Sequence, residues 1–461
     1  MADPGMPSSG PRIWELIHDP AFQELLRRST DRCLSWDAFL SLGMPKGLSP
    51  LHAWELLNQL GRFTGIEIPV LDLNDDPVWF RRTNQLSELN EIMIRACSTD
   101  SHLDRIMAST GSQHFLMNVR IAETIAAIRL DGLWISMEDA NTLLRLDRKP
   151  GNATERILLN TFAAVHHLPD MRNEPFSRDL FRHLGDLLLE GVDTTALART
   201  RAPLGTGPFE WPDELTERYA DRQMDDIAAF LNHETGTEQS RGLFRALILS
   251  DTFRFYRPLK EISSQVGRLV AHLYGLKQGL PVLGLLPASF VKLEWDAGHI
   301  LPPTVSFDRP TFEDLFRRYA GDITCIQTLT MQLSLVALRI VERYVSDWEK
   351  RDQEMRRILK EDNELNDRQR AILGRALRKP EAEFTIRYHM SNHGISYPTA
   401  RLDFLELVER GYLELEQVGK KFVFTPSHGL QGMFTDQSTL ARIRGLDVEL
   451  RIPADPPDNR C

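Results

Sequence analysis

The sequence predicts a mainly α-helical protein, and three observations lead to this prediction. Apolar residues recur at helical spacing over most of the chain. Alternation typical of strands is convincing only for 412–417 and 421–425, near the C terminus. No repeat of fixed period is present, so a solenoid of repeated units is not expected.

Short apolar stripes lie near the N terminus, and longer helical patterns follow them. The residues of the short stripes are Ile13, Leu16, Ile17, Phe22, Leu25 and Leu26, and then Leu51, Trp54, Leu57 and Leu60. The longer helices are predicted at 117–140, 225–232, 243–253, 264–277 and 325–348.

The chain has 461 residues, enough for two or three domains. The charged run 349–367 contains no Gly or Pro and is predicted to be a solvated helix or a linker, separating a large helical body from a small C-terminal domain. The predicted segments are an N-terminal helical region (1–84), a helical domain (85–348), the charged linker or helix (349–365), the C-terminal domain (366–428) and a tail (429–461).

Composition and charge limit the possible partners and compartments. The formal net charge is −10, so nucleic acid or an anionic membrane would have to bind a local patch. The four cysteines form no C-x-x-C pair, which favours a reducing cytoplasm over a disulfide framework or a zinc site. The apolar window 272–291 is interrupted by polar residues, Gly and Pro, and the N terminus lacks the pattern of a signal peptide. We therefore predict a cytoplasmic protein without membrane association.

The C-terminal domain has the element order helix, helix, turn, helix and two-stranded hairpin. A helix over 366–378 is followed by a second helix that Thr385 caps and Gly394 ends. Ser396 caps the third helix, which Pro398 begins. The third helix is predicted to bury Leu402, Leu405 and Val408, and Gly411 ends it. Over these residues the chain resembles a winged helix-turn-helix domain.

That resemblance implies duplex DNA as a partner. The major groove would be contacted by Ser396, Tyr397, Thr399 and Arg401, and the phosphates by Lys420 and Lys421. Two modules in a homodimer would read two half-sites. Docking of a protein partner is the alternative, because Asp403, Glu406 and Glu409 make the third helix acidic.

Residues 257–268 read RPLKEISSQVGR and precede an apolar helix. This stretch resembles the Fic family motif, H-P-F-x-D/E-G-N-G-R-x-x-R. The helices predicted around 212–232 and 246–255 match the family's surroundings of that motif, and the resemblance covers roughly 85–430. It implies a Fic-like helical bundle and, in active members, transfer of AMP from Mg-ATP to a protein hydroxyl.

The motif departs from the family pattern where chemistry would occur. Arg257 replaces the histidine that acts as general base, and a guanidinium stays protonated. Ile262, Ser263 and Ser264 replace the Gly-Asn-Gly turn that would bind phosphate, and Gln265 replaces the first arginine. The last arginine is kept as Arg268, and Glu261 keeps the metal-ligand position.

An upstream segment, 118–140, resembles the family's inhibitory helix, whose pattern is S/T-x-x-x-E-G/N. Asp131 stands in place of the glutamate that pairs with the last arginine of the motif, and Gly132 follows it. The resemblance therefore implies an ion pair between Asp131 and Arg268. The alternative is a helix that Gly132 ends, with Asp131 in solvent.

These residues favour a non-enzymatic regulator with a Fic-like body, without cofactors, that binds DNA or a protein partner. One alternative is a divergent protein adenylyltransferase that uses Mg²⁺ and ATP, with Glu261 as the metal ligand. A second is a sensor of an anionic, nucleotide-like ligand held by Arg257 and Arg268.

Overall fold

A computed structural model of the protein describes the residues to which every structural statement here refers: 13–71, 77–108, 113–145, 148–200, 213–234, 243–247, 253, 258–259, 262–297, 299, 321–358, 364–378, 381–418 and 421–430. The mainly α-helical fold is confirmed.

Helices account for most of the described chain. They are α1 (Ile13–Ile17), α2 (Pro20–Asp31), α3 (Trp36–Leu40), α4 (Pro50–Thr64), α5 (Asn84–Cys97), α6 (His102–Met107), α7 (Gln113–Leu130), α8 (Met137–Arg145), α9 (Ala153–His167), α10 (Arg178–Leu189), α11 (Thr194–Thr200), α12 (Asp213–Leu231), α13 (Ser263–Lys277), α14 (Ala288–Asp296), α15 (Thr324–Ile358), α16 (Asp367–Arg378), α17 (Ile386–His393) and α18 (Tyr397–Glu409). Short 3₁₀ helices lie at Leu168–Met171 and Pro281–Leu285. The strands are β1 (Ile66–Leu71), β2 (Pro77–Phe80), β3 (Phe384–Thr385), β4 (Leu413–Val418) and β5 (Lys421–Pro426).

The N-terminal helices α1 to α4 form a small apolar cluster of their own. Trp54 and Leu57 are buried in it as predicted, but Leu51 and Leu60 are 57% and 40% exposed. The reason is that α4 turns a face containing Ala53, Trp54 and Leu57 inward, which leaves Leu51 and Leu60 on its outer side.

The antiparallel hairpin β1–β2 was not predicted from the sequence. The Trp79 N–H donates to the Gly321 carbonyl (3.0 Å), and the Trp79 carbonyl accepts from the Ile323 N–H (2.9 Å). Its buried Ile66 and Phe80 belong to the large core of the helical body. Pairing with a distant part of the chain therefore stabilises a hairpin that its local sequence does not indicate.

Helix α13 is at the centre of the helical body and packs against α9, α10 and the 3₁₀ helix Pro281–Leu285. Val266, Leu269, Val270 and Leu273 are almost completely buried. The helix predicted at 264–277 is therefore present, and it begins at Ser263.

Helix α15 extends to Ile358, well beyond the predicted 325–348. The first part of the predicted linker is therefore helical, while 359–363 lies outside the described residues. The segment Thr324–Asp347 is long and apolar enough to cross a membrane, but 67% of its most apolar window is buried in the protein, as in many core helices. The absence of a membrane partner stays a prediction.

Residues 364–430, which we call the C-terminal module, have a separate apolar core. The three-stranded sheet has the order β3-β5-β4, with antiparallel pairing throughout. Thr385 caps α17 by accepting the Tyr388 N–H, and Gly394 ends it at a φ of 61°. Leu430, assigned from the sequence to the tail, is buried in this core, and 431–461 lies outside the described residues.

The buried face of α18 differs from the predicted one. Leu402 is 56% exposed, and the face turned inward contains Ala400, Asp403, Phe404 and Leu407. The prediction counted only apolar residues, whereas the rotation of α18 also brings the Asp403 carboxylate to Arg368. An ion pair with a helix distant in sequence therefore helps to set the rotation of α18.

The C-terminal module contacts the helical body through α17. This helix packs against α7 and α8, and α16 contacts α15. Helix α7, which directly precedes Asp131, therefore packs against α17, the first helix of the predicted helix-turn-helix.

Candidate functional site

Two backbone N–H groups of the loop before α13 are hydrogen-bonded within the described part of the loop and helix. The Leu259 N–H donates to Ser263 Oγ (2.7 Å), and the Ile262 N–H donates to the Leu259 carbonyl (3.4 Å). The Ile262 side chain is buried against Gly185, where an added Cβ would lie 2.9 Å from Ile262 Cδ1. At the turn where the family motif has glycines, this chain therefore has a buried apolar side chain, and N–H groups beside it are already hydrogen-bonded.

Two of the motif positions lie at the start of the helix that follows this loop. Ser263 is buried at the first position of α13, and Ser264 is half-buried beside it. Arg257 and Glu261 lie outside the described residues, so the predicted base replacement and metal ligand have no described position.

Gln265, at the first arginine position, points into the protein and is 1% exposed. Its Oε1 accepts a hydrogen bond from Thr161 Oγ1 on α9 (3.3 Å). Its Nε2 has no hydrogen-bond partner among the described residues. Buried amide nitrogens rarely lack an acceptor, so this atom requires an explanation.

Asp131 and Arg268 form the predicted ion pair, with 2.6 Å between Oδ2 and Nη2. The same Nη2 donates to the Ala127 carbonyl of α7 (3.0 Å). Asp131 is 3% exposed, so the alternative with Asp131 in solvent is wrong. Gly132 adopts a φ of 77° and ends α7 directly after Asp131. The contact between the two segments is present, and its inhibitory role stays a prediction.

A cavity of about 180 Å³ lies beside this ion pair, among α7, α9, α13, α14 and α15, and we call it the interior cavity. Gln265, Arg268 and His272 line it from α13, at helical spacings that place them on one face. Lys292 contributes a second cation from α14. Leucine and alanine side chains form much of the remaining wall.

Glu123 lines the interior cavity from α7 and caps α14. Its carboxylate accepts the N–H groups of Ser289 (2.9 Å) and Phe290 (3.2 Å), at the N terminus of that helix. Burial raises the pKa of Glu123 to about 7, against the opposing effects of the Ser289 hydrogen bonds and the Arg268 charge. Glu123 therefore titrates near neutral pH while holding α14 in place.

His272 is half-buried beside Gly284 of the 3₁₀ helix. A Cβ at Gly284 would lie 1.8 Å from the imidazole Cδ2, so only glycine leaves room for this ring. Burial lowers the pKa of His272 to about 4, and the Arg120 charge acts in the same direction. The imidazole is consequently neutral at physiological pH.

Sequence reasoning missed Glu123 and His272. The signal available was a single carboxylate in the otherwise apolar stretch 121–128, and a histidine four residues after Arg268. Among the described residues no group of three or more His, Cys, Asp or Glu side chains could hold a metal ion. Glu261 lies outside that part of the chain, so the cofactor predictions stay untested.

The predicted DNA-contact residues lie at one end of the C-terminal module. Ser396, Tyr397 and Arg401 are exposed, and Thr399 is half-buried with its hydroxyl 2.9 Å from Ser396 Oγ. The Arg401 guanidinium lies 6.0 Å from the centre of the Phe422 ring on β5.

Only one of the two lysines at the hairpin turn belongs to the described residues. Lys421 is exposed at the start of β5, while Lys420 lies outside the described residues. Arg401 at the start of α18 therefore lies close to β5, whose first residue is Lys421.

Asp403, predicted to make α18 acidic, is neutralised inside the module. Its carboxylate accepts from Arg368 Nε (2.7 Å) and Nη2 (2.9 Å), and from Asn366 Nδ2 (2.8 Å). His389 Nε2 lies 2.9 Å from Asp403 Oδ2. Burial alone raises the pKa of Asp403, but the bonds from His389, Arg368 and Asn366 outweigh it and hold the pKa well below its usual range.

Among the comparisons with known proteins, the comparison with solved structures finds similar chains. No protein-family model matches the chain, and no curated protein matches it significantly. Among solved structures, the chain is similar to a crystal structure of a Fic family protein from Desulfovibrio desulfuricans G20. The identity is 17% and the TM-score 0.42, over 76% of this chain and 98% of that chain.

Proposed function

We propose that the protein is a non-enzymatic regulator, with a Fic-like body and a C-terminal winged helix-turn-helix that binds duplex DNA. The observation that carries the proposal is the surface that joins α18 to the hairpin. Exposed Arg401 at the start of α18 lies over Phe422, directly after exposed Lys421. Two cations on adjacent elements suit contact with a base edge and a neighbouring phosphate.

The internal pairing of the acidic residues of α18 supports DNA as the partner. The Asp403 charge is balanced by Arg368, and Glu406 accepts a hydrogen bond from Gln369. Glu409 stays exposed at the far end of the helix. Repulsion of phosphates by α18 is consequently weaker than its composition indicates.

The altered Fic motif supports the non-enzymatic part of the proposal. Ile262 and the internal hydrogen bonds of Leu259 occupy the turn where N–H groups would otherwise bind phosphate. Arg268 is engaged by Asp131 and by the Ala127 carbonyl. With an arginine at position 257, the sequence also lacks the general base.

Docking of a protein is the second candidate, and the exposure of two large side chains favours it. Tyr397 is 48% and Leu402 is 56% exposed, on the surface that would face DNA. Aromatic and aliphatic side chains of this kind are typical anchors of protein interfaces. A thymine methyl group could also contact Leu402, so the binding experiment decides between the two partners.

Binding of full-length protein to duplexes from its native genomic neighbourhood, followed by fluorescence polarisation at low salt, tests the proposal. Arg401→Ala should weaken specific binding about tenfold and change sequence preference. Lys421→Ala should weaken binding to all duplexes equally and reduce the salt slope by about one.

Lys46→Ala is the matched control, because Lys46 is equally exposed but lies in the N-terminal region. No binding by the full-length protein, or equal effects of Arg401→Ala and Lys46→Ala, would contradict the DNA-binding proposal. Docking of a protein partner would then be the better account of the module.

Incubation with labelled ATP and Mg²⁺ should give no labelled protein, either for the natural sequence or for Asp131→Ala. Freeing Arg268 should not restore transfer, because the missing general base alone accounts for about 10²- to 10⁴-fold in rate. Incorporation is measured on the chain itself and on a lysate. Strong labelling that Glu261→Ala abolishes would overturn this expectation and identify a divergent transferase.

A further inference from the structure

The interior cavity contains a polar atom that nothing in the described protein satisfies. Thr161 Oγ1 donates to Gln265 Oε1, so the amide atom that remains without a partner is Nε2, a donor. Gln265 is 1% exposed and lines the cavity, which excludes bulk water as a ready partner. A hydrogen-bond acceptor bound inside the cavity would satisfy the N–H groups of Gln265 Nε2.

The charges around the cavity favour an anion as the occupant. Arg268 and Lys292 line it as cations, and His272 is neutral. Asp131 balances part of the Arg268 charge. The Glu123 carboxylate accepts the N–H groups of Ser289 and Phe290, so the positive end of the α14 dipole offsets its negative charge. The Gln265 amide Nε2 and the Arg268 guanidinium are therefore donors at the cavity wall.

The size and the wall of the cavity limit the occupant further. A cavity of about 150 Å³ holds benzene, with six heavy atoms, so one of about 180 Å³ holds roughly seven or eight. A nucleoside triphosphate is several times larger. Leu269, Leu283 and Leu333 supply an apolar wall, which suits an alkyl chain.

We propose that the interior cavity binds a short-chain monocarboxylate of about four to six carbons, with its carboxylate on Gln265 and Arg268 and its chain among the leucines. Gln265 and Arg268 stand three positions apart on α13 and so present their donors on one face. This ligand site does not depend on DNA binding by the C-terminal module.

Calorimetric titration of the full-length protein with sodium hexanoate tests the proposal. Hexanoate should bind, and above its Kd the unfolding temperature should rise with the logarithm of the hexanoate concentration. Hexanol, which has the same chain without the charge, and inorganic phosphate, which has the charge without the chain, should each bind at least about tenfold more weakly. Equal binding of hexanol or of phosphate would overturn the assignment of a carboxylate.

Gln265→Leu is the decisive variant. It removes the unpaired Nε2 but also the acceptor of the Thr161 hydroxyl, so the stability of the ligand-free protein should change by no more than about 1 kcal/mol. Hexanoate affinity should nevertheless fall about tenfold or more. Gln327→Leu is the matched control, because Gln327 is also 1% exposed with an unpaired side-chain oxygen, but it does not line the cavity.

A steric variant provides a test that does not depend on the amide. Ala246→Leu adds bulk at the cavity wall and should abolish the signal of ¹³C-labelled hexanoate bound to the protein. Unchanged hexanoate affinity in either Gln265→Leu or Ala246→Leu would overturn the proposal, as would absence of binding to the natural protein.

Discussion

Asp403→Ala should destabilise the C-terminal module by about 3–5 kcal/mol, the range typical of a broken buried ion pair. The variant leaves the Arg368 guanidinium, which donates two hydrogen bonds to Asp403, without its anion. His389, 4% exposed at its side chain, loses the carboxylate beside its Nε2. The rotation of α18 depends on the same contact, so opening should extend over 384–409.

Amide hydrogen exchange measures this effect, because it reports local opening without requiring the whole chain to unfold in one step. Glu409→Ala is the control on the same helix, since Glu409 is exposed. A difference between the two variants of less than about 0.5 kcal/mol, the usual size of a surface effect, would show that the network contributes no stability.

The stabilising effect of Asp403 should also depend on pH in a definite direction. The pKa of Asp403 is lower in the folded module than its ordinary value of 3.8. Its stabilising effect is therefore complete above that value and is lost as the pH falls towards the folded pKa. The stability difference between the natural protein and Asp403→Ala should stay constant in neutral solution and shrink only below about pH 4.

The second large effect is expected at the ion pair between α7 and α13. Asp131→Ala should lower the free energy of unfolding by about 3 kcal/mol, near the lower end of the range for buried pairs. The effect should lie near the lower end of this range because the Arg268 side chain is 22% exposed and its Nη2 still donates to the Ala127 carbonyl in the variant. Urea denaturation of the full chain measures the change.

A double-mutant cycle measures the coupling energy between Asp131 and Arg268 separately from the other contacts of each residue. Asp131→Ala, Arg268→Ala and the double variant should give a coupling energy of about 1–3 kcal/mol. Replacing both residues, as Asp131→Leu with Arg268→Met, should be nearly neutral, because no unpaired buried charge remains. A coupling energy close to zero would mean that the 2.6 Å contact does not hold the two helices together.

Local signals in the sequence were sufficient for most helices and their ends. Thr385, Gly394 and Ser396 cap or end helices where predicted, because a cap depends on a side chain and the backbone within three or four residues. The start of α13 at Ser263 was predictable for a similar reason, since the apolar period begins there. The pairing of Asp131 with Arg268 was expected from the family pattern alone, because no local signal joins residues 137 positions apart.

The tertiary structure decided which side each helix turns inward and what its polar side chains contact. Leu402 is exposed and Asp403 is buried, contrary to hydrophobicity, because the partners of Asp403 come from α16 and α17. Gln265 and Glu123 line a shared cavity because five helices converge there. Sequence periodicity reports the average polarity of a helix face, whereas a buried polar group is stable only where distant segments supply its partners.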